Sequence, residues 1–140
     1  MPLLANDTSG ALTRKRVETW ASKVEKTTVV AATDAATVMS ATTLAGAGHI
    51  VYTMTPTAAR TLTTPTGAEL GAAFTDEAAG TSFEFTVVNV AAATYAITVT
   101  AGATGITLVG AAANFAVAAA TSATYLVVFT STTAASIYRK

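Results

Sequence analysis

The sequence predicts a mainly β domain, an antiparallel sandwich or barrel, and three stretches carry that prediction. In Thr81–Asn89, residues Phe83, Phe85 and Val87 alternate with more polar neighbours, which is the period of a strand with one buried face. Tyr95–Thr100 repeats the pattern. Tyr125–Thr130 is apolar on both faces, as expected of a central strand covered on both sides. Short strands at this spacing are typical of sandwiches and barrels.

The first 26 residues form a predicted N-terminal arm, followed by a β domain over residues 27–140. The arm holds eight of the sixteen charged side chains of the chain. Val17, Trp20 and Val24 are spaced as on a short amphipathic helix. Val17, Thr19 and Ala21 would equally suit a strand, so both interpretations stay open.

Residues 27–64 predict several short extended segments. Asp34 marks a turn between two short strands, the second of which runs toward Leu44, because β-branched residues are frequent here. His49–Met54 alternates again, with Ile50, Tyr52 and Met54 on one face. Pro56 ends that strand, and Arg60–Thr64 is extended.

One short helix is predicted near Thr66–Phe74. Thr66 and Glu69 have the spacing of a capping box, in which each side chain satisfies a free backbone N–H at the helix start. Leu70, Ala73 and Phe74 then fall on one face. This explains Glu69 as a cap and not as a catalytic acid.

The C-terminal half predicts further antiparallel pairs. After the turn at residues 101–105, Ile106–Val109 is expected to return as the hairpin partner of Tyr95–Thr100. A turn at residues 131–133 leads to a last strand over residues 134–140. The residues expected to be buried are Phe83, Phe85, Val87, Ile97, Val99, Val127 and Phe129.

Composition favours a protein that contacts other subunits. Charged residues make up only 11% of the chain, against about 25% in typical soluble domains, and Glu84 is the one charge between Thr81 and Thr130. Strand edges without charges or prolines tend to pair with other chains, which predicts a homo-oligomer, a trimer. The alternative is a surface coated with threonine, since 62 of 140 residues are Ala or Thr.

No pattern in the sequence indicates catalysis, a metal or a cofactor. His49 is the single histidine and there is no cysteine, so a zinc site lacks ligands. Asp76 and Glu77 adjoin each other in a loop and Glu84 follows seven residues on, which is typical of solvated acids and not of a hydrolase pair. We therefore expect no enzyme activity.

Three classes of partner or location are also not expected. The formal net charge is zero, and Arg14, Lys15 and Arg16 lack an accompanying aromatic basic sheet, so nucleic acid is not expected. No apolar run approaches the ~20 residues that span a membrane. The N-terminus has no basic start followed by an apolar run, so no signal peptide is expected.

From Tyr52 onward, several segments of the sequence resemble those of a known group of proteins. These segments are Thr53–Thr66, Gly80–Asn89, Thr104–Gly110 and Tyr125–Thr130, with Ile137-Tyr138-Arg139 near the end. This pattern of strand and turn segments resembles Ala/Thr-rich β domains of tailed-bacteriophage virion proteins, as in capsid decoration (cement) proteins and fibre modules. The resemblance covers about residues 50–140 and transfers no active site.

The resemblance implies a β-sandwich or jelly-roll-like virion surface protein, often trimeric, assembled in the host cytoplasm. The first hypothesis is a decoration protein that bridges subunits of the major capsid protein and stabilises the head. Arg14, Lys15 and Arg16 would orient the arm on the capsid, and Trp20 would anchor it by apolar burial. The alternative is a tail fibre or spike module that recognises a host receptor or glycan.

Overall fold

The computed structural model describes residues 26–74 and 79–140, which form ten strands and two α-helices. In chain order the elements are β1 (Thr27–Ala31), β2 (Thr37–Val38), α1 (Ala41–Leu44), β3 (His49–Met54), β4 (Arg60–Thr63), α2 (Gly67–Ala73), β5 (Ser82–Asn89), β6 (Ile97–Thr100), β7 (Ile106–Val109), β8 (Ala116–Val117), β9 (Ser122–Ser131) and β10 (Ala134–Arg139). A 3₁₀ turn at Ala112–Phe115 precedes β8. The predicted mainly β architecture is confirmed.

The strands lie in two sheets, and the chain moves from one sheet to the other after each of its first eight strands. The six-stranded sheet has the order β1-β3-β5-β9-β10-β7, and the four-stranded sheet has the order β2-β4-β6-β8. The chain completes a full turn between β1 and β3 and between the strands that follow, so the successive strands of each sheet run in the same direction as far as β5 and β6. The pairs β1–β3, β3–β5, β2–β4 and β4–β6 are all parallel.

The prediction of an antiparallel architecture is therefore wrong, because both sheets are mixed. Antiparallel pairing is confined to β5–β9, β9–β10 and β6–β8 among the described strands. The predicted hairpin between β6 and β7 is also wrong, since β7 crosses to the other sheet and pairs parallel with β10. A period of two identifies the buried face of a strand, but it carries no information on the direction of the neighbouring strand.

One hydrophobic cluster joins the two sheets. Its members include Ile50, Phe85 and Tyr125 from the six-stranded sheet and Leu62 and Val99 from the four-stranded sheet. Ile50, Phe85 and Tyr125 are neighbours across three adjacent strands, and the rings of Phe85 and Tyr125 stack with centroids 5.3 Å apart. The inward-facing residues of β3, β5 and β9 thus build the core in rows that cross the sheet.

The predicted buried residues are confirmed with one adjustment. Phe85, Val87, Ile97, Val99, Val127 and Phe129 are all buried. Phe83 is half-buried and packs at the border of the core, where its ring stacks on Phe74 with centroids 4.5 Å apart. The strand β9 does lie inside its sheet, but of its two apolar faces the chain buries only the one that carries Tyr125, Val127 and Phe129.

The predicted helix and its cap are confirmed in α2. The Thr66 hydroxyl accepts a hydrogen bond from the backbone N–H of Glu69 at 3.2 Å, and the Glu69 carboxylate accepts from the backbone N–H of Thr66 at 2.8 Å. A second helix, α1, was not predicted. There Ser40 caps the N-terminus by accepting from the backbone N–H of Thr43, so a local cap overrides the strand preference of the Ala/Thr run.

Candidate interaction surface

The outward side of the six-stranded sheet is a broad surface with little charge, which we call the outer face. It consists of the residues that alternate with the core positions: Val29, His49, Val51, Thr53, Glu84, Thr86, Val88, Thr124, Leu126, Val128, Ser136, Tyr138, Thr107 and Val109. Val29, Val109 and Tyr138 are the most exposed apolar side chains on it. Strand faces that meet water are usually polar, so a face on which seven of these fourteen side chains are apolar is a candidate for contact with another surface.

A chain of three hydrogen-bonding side chains crosses the outer face. His49 Nε2 lies 2.8 Å from the Thr86 hydroxyl, which lies 2.8 Å from the Thr124 hydroxyl. The strand register accounts for these contacts. Thr86 lies between Val51 of β3 and Thr124 of β9, and His49 is two residues before Val51 on the same face of β3. A hydroxyl beside an imidazole resembles the nucleophile and the general base of a catalytic triad. No carboxylate in the described residues hydrogen-bonds His49 to complete a triad.

Glu84 is held in an ion pair on the same face. Its carboxylate accepts from Lys140 Nζ at 2.7 Å, at the point where the chain ends beside β5 and β9. The pair accounts for Glu84 as a structural charge within the outer face, beside Leu126 of β9. Partly exposed pairs of this kind contribute about 0–1 kcal/mol to stability.

The outward side of the four-stranded sheet is different in chemistry. Thr61 is paired in register with Thr98, and Thr63 with Thr100, so four threonines form two rows across β4 and β6. The hydroxyls of Thr63 and Thr100 lie 2.8 Å apart. This side matches the threonine-coated surface that the composition left open, whereas the outer face of the six-stranded sheet combines four threonines with seven apolar side chains.

Asp34 is the centre of a charged cluster in which its carboxylate accepts three hydrogen bonds. Its carboxylate accepts from Arg60 Nε at 2.6 Å, from the Thr57 backbone N–H at 3.1 Å and from the Thr57 hydroxyl. The hydrogen bond from Arg60, followed by that from the Thr57 hydroxyl, holds the pKa of Asp34 far below its usual range. The cluster ties the β1–β2 turn to the β3–β4 turn.

A cleft of about 360 Å³ opens at one end of the six-stranded sheet. Its lining residues are Leu44, Gly46, Gly48, His49, Phe74, Phe83 and Glu84. It combines two aromatic rings with an imidazole and a carboxylate, which is a lining suited to a small polar ligand. A shallower groove lies at the far end of β5, near Val88 and Val90, and has no aromatic lining.

The residues predicted to contact a capsid lie outside the described residues. Arg14, Lys15, Arg16 and Trp20 belong to this set, so the predicted arm of residues 1–26 is described only at Lys26. Asp76 and Glu77 also fall outside the described residues. Those site predictions therefore stay predictions.

Two features of the structure are not predicted by the sequence patterns. The first is the contact of His49 with Thr86, which depends on the parallel register of β3 and β5. The second is Asn89, which is buried at the end of β5: its Nδ2 donates to the carbonyls of Tyr95 (2.7 Å) and Val117 (3.0 Å), and its Oδ1 accepts from the Ala91 backbone N–H. Asn89 thereby links β5 to the loop before β6 and to β8. An asparagine at a strand end followed by an Ala run was the available signal.

Within residues 26–74 and 79–140, no cluster of three or more His, Cys, Asp or Glu side chains is arranged to hold a metal ion. In the same part of the chain, no helix has the length and hydrophobicity needed to cross a membrane. Comparison of the chain with protein-family models, with characterised proteins and with solved structures finds no match.

Proposed function

We propose that this protein is a structural component of a phage virion, a capsid decoration protein that sits on the head and bridges subunits of the major capsid protein. In this proposal the two sheets stack as a β-sandwich, and the protein acts as a homotrimer without catalytic activity. The resemblance of residues 50–140 to Ala/Thr-rich virion domains motivates the class of protein. In this proposal the protein is located on the surface of the virion.

The observation that carries the proposal is the outer face. Val29, Val109 and Tyr138 are exposed there, and Glu84, paired with Lys140, is the one acidic side chain among the residues that form the face. Exposed apolar side chains gathered on one face, with little charge among them, mark contacts between proteins. A protein that functions by covering other subunits needs broad surfaces of this kind and has no need for a catalytic constellation.

Attachment to the capsid is assigned to the arm. Residues 1–26 concentrate half of the charged side chains in a chain that is otherwise poor in charge. Arg14, Lys15 and Arg16 would steer the approach, because charges at the rim of an interface act mainly on association rate and salt sensitivity. Trp20 would contribute the apolar anchor, worth about 2 kcal/mol or more if it is a hot spot.

The test is binding to purified head shells that lack the protein. Full-length protein, a variant lacking residues 1–26, Trp20→Ala and the triple variant Arg14→Glu, Lys15→Glu, Arg16→Glu are each sedimented with shells. We expect the truncated protein to keep its β circular dichroism but to stay in the supernatant. Trp20→Ala should weaken binding at least 30-fold, and the triple variant should lose binding most at low salt.

Two results would contradict this assignment. If the truncated protein binds shells with unchanged affinity, the arm is not the attachment device. If the truncated protein fails to fold, Trp20 belongs to the core of the domain instead. Binding of none of the proteins to shells would reject the decoration role itself.

A second candidate function has one observation in its favour. The 360 Å³ cleft brings Phe74 and Phe83 together with His49 and Glu84, and aromatic rings beside polar groups are suited to sugars. A tail fibre or spike module would use such a cleft to hold a host glycan. Titration with a glycan array, with Phe83→Ala as the cleft variant and the exposed Val90→Ala as control, separates the two functions.

A further inference from the structure

We propose that copies of this protein pair head to tail through the two edges of the six-stranded sheet, with β1 of one copy adding to β7 of the next in parallel orientation. The inference deepens the proposed homotrimer, on which it rests, by naming the strands that form the contact.

The two edge strands of the six-stranded sheet, β1 and β7, run in the same direction. The strands β1, β3 and β5 run the same way, β9 runs against β5, and β10 runs against β9. Since β7 is parallel to β10, it has the same direction as β1. The two edge strands of the described sheet are thus oriented so that β1 of a second copy would continue the sheet beyond β7 in the same parallel arrangement as β1 and β3.

The two edge strands are similar in length and carry no charge. The strand β1 has five residues and β7 has four, so the two edges can pair over nearly their full length. Neither strand contains a charged residue or a proline. Natural proteins protect the edges of sheets with such residues to prevent pairing with other chains, and these two edges lack that protection.

Both edge strands carry apolar side chains that are only partly covered. On the inward side, Val30 of β1 and Ile106 and Leu108 of β7 pack against the core but remain only partly buried. On the outward side, Val29 is 63% exposed and Val109 is 40% exposed. Joining the edges would bring the inward residues of both strands into one layer, and Val29 beside Val109 on the outer face. Both apolar layers of the sheet would then continue from one copy to the next.

Free backbone groups fit the same arrangement. The N–H of His49 bonds the Lys26 carbonyl and the N–H of Ala32 bonds the Thr53 carbonyl. Because a parallel strand turns alternate residues toward each neighbour, the N–H and C=O of Val29 point away from β3, toward the edge. The N–H of Ala135 bonds the Gly105 carbonyl, which by the same alternation turns Ile106 and Leu108 toward the edge at β7. A head-to-tail contact of this type closes into a ring when the rotation between copies allows it.

Engineered cysteines test the pairing directly, since the chain contains none of its own. Purified Val29→Cys protein is mixed with Val109→Cys protein, or with Thr107→Cys protein, and oxidised at about 10 µM. Adjacent strands bring Cα atoms within the range that a disulfide can bridge. We expect cross-linked dimers in at least one mixture and at least tenfold less in either protein alone.

A charge variant tests the same contact without a cross-link. Val29→Lys places a cation at the edge, and we expect its mass in light scattering at about 10 µM to fall from trimer to monomer. The matched control is Val90→Lys, which puts the same charge at a valine that is 54% exposed in the loop after β5. That variant should remain trimeric, and both should keep the circular dichroism of the parent.

The outcomes separate this inference from the proposed function. A trimer that resists Val29→Lys, or dimers that form only between identical cysteines, overturns the head-to-tail pairing and leaves the oligomer in place. A parent protein that is monomeric overturns both the pairing and the homotrimer. Binding to head shells, measured separately, then decides the decoration role.

Discussion

Gly67 and Thr133 meet at a distance that leaves no room for a side chain. A Cβ atom on Gly67 would lie 2.1 Å from the Thr133 carbonyl oxygen and 2.7 Å from that of Gly105. The first residue of α2 therefore rests directly on the turn between β9 and β10. This contact fixes the helix against the end of the β9–β10 hairpin. Replacing Gly67 therefore has two opposing effects on stability, a gain in helix preference and a steric clash with the turn.

Gly67→Ala is expected to lower the free energy of unfolding by about 2 kcal/mol. Alanine favours a helix over glycine by about 1 kcal/mol, but the added methyl group collides with backbone atoms that cannot rotate away, and overpacking costs about 1–3 kcal/mol or more. Urea denaturation measures the difference. Ala68→Gly, at an exposed position of α2, calibrates helix preference alone and should cost about 1 kcal/mol. Equal or greater stability of Gly67→Ala would show that the contact is absent.

Asp34 is expected to make stability depend on pH in the acid range. The pKa of Asp34 is lowered in the folded protein, mainly by the hydrogen bond from Arg60. A lowered pKa adds stability above the unfolded value of about 4, and this contribution is lost as the pH falls toward the folded value. Asp34→Asn should therefore lower Tm at about pH 7, with a difference from the parent that shrinks from about pH 5 to pH 2.

The control for Asp34→Asn is Glu84→Gln, which also replaces a carboxylate with an amide. Glu84→Gln removes the ion pair with Lys140 and should change Tm at about pH 7 far less than Asp34→Asn does. Glu69, whose pKa is lowered by hydrogen bonds from Thr66, still titrates in both variants and keeps some acid dependence in each. A constant Tm difference between Asp34→Asn and the parent from pH 7 to pH 2 would contradict the assignment.

Asn89→Ala is expected to destabilise the protein by about 3 kcal/mol. The substitution leaves the carbonyls of Tyr95 and Val117 and the N–H of Ala91 without their present partner, and each unsatisfied buried group costs about 1–3 kcal/mol. Chemical denaturation measures the loss. Asn89→Asp keeps an acceptor for Ala91 while losing both donated bonds, so it should also be destabilising. A loss below about 1 kcal/mol for Asn89→Ala would mean that water replaces the side chain.

Tyr125→Phe is expected to raise stability by about 1 kcal/mol. The Tyr125 ring is fully buried between Phe85 and Phe115, and its hydroxyl has no hydrogen-bond partner within the part of the chain that the structure describes. Burial also raises the pKa of this hydroxyl. Removing an unsatisfied buried hydroxyl while keeping the ring relieves its desolvation cost. A less stable variant would reveal a partner for the hydroxyl, such as a buried water.

Local features of this fold could be predicted from the sequence, whereas pairing between strands could not. Alternation gave the buried faces of β3, β5 and β6, and the Thr66–Glu69 spacing gave α2, because both signals lie within a few residues. The parallel winding depends on where each connection crosses between sheets, and no local pattern encodes it. The contact of His49 with Thr86 was missed for the same reason, since 37 residues separate them in sequence.

The proposed function is tested most directly by imaging the particle that contains the protein. Electron cryomicroscopy of intact phage particles should show density for this chain on the outer surface of the head, as a three-fold cluster in contact with the major capsid protein. Density at the tail fibre or spike would favour the glycan-binding alternative. A particle whose head carries no such density would contradict the decoration role.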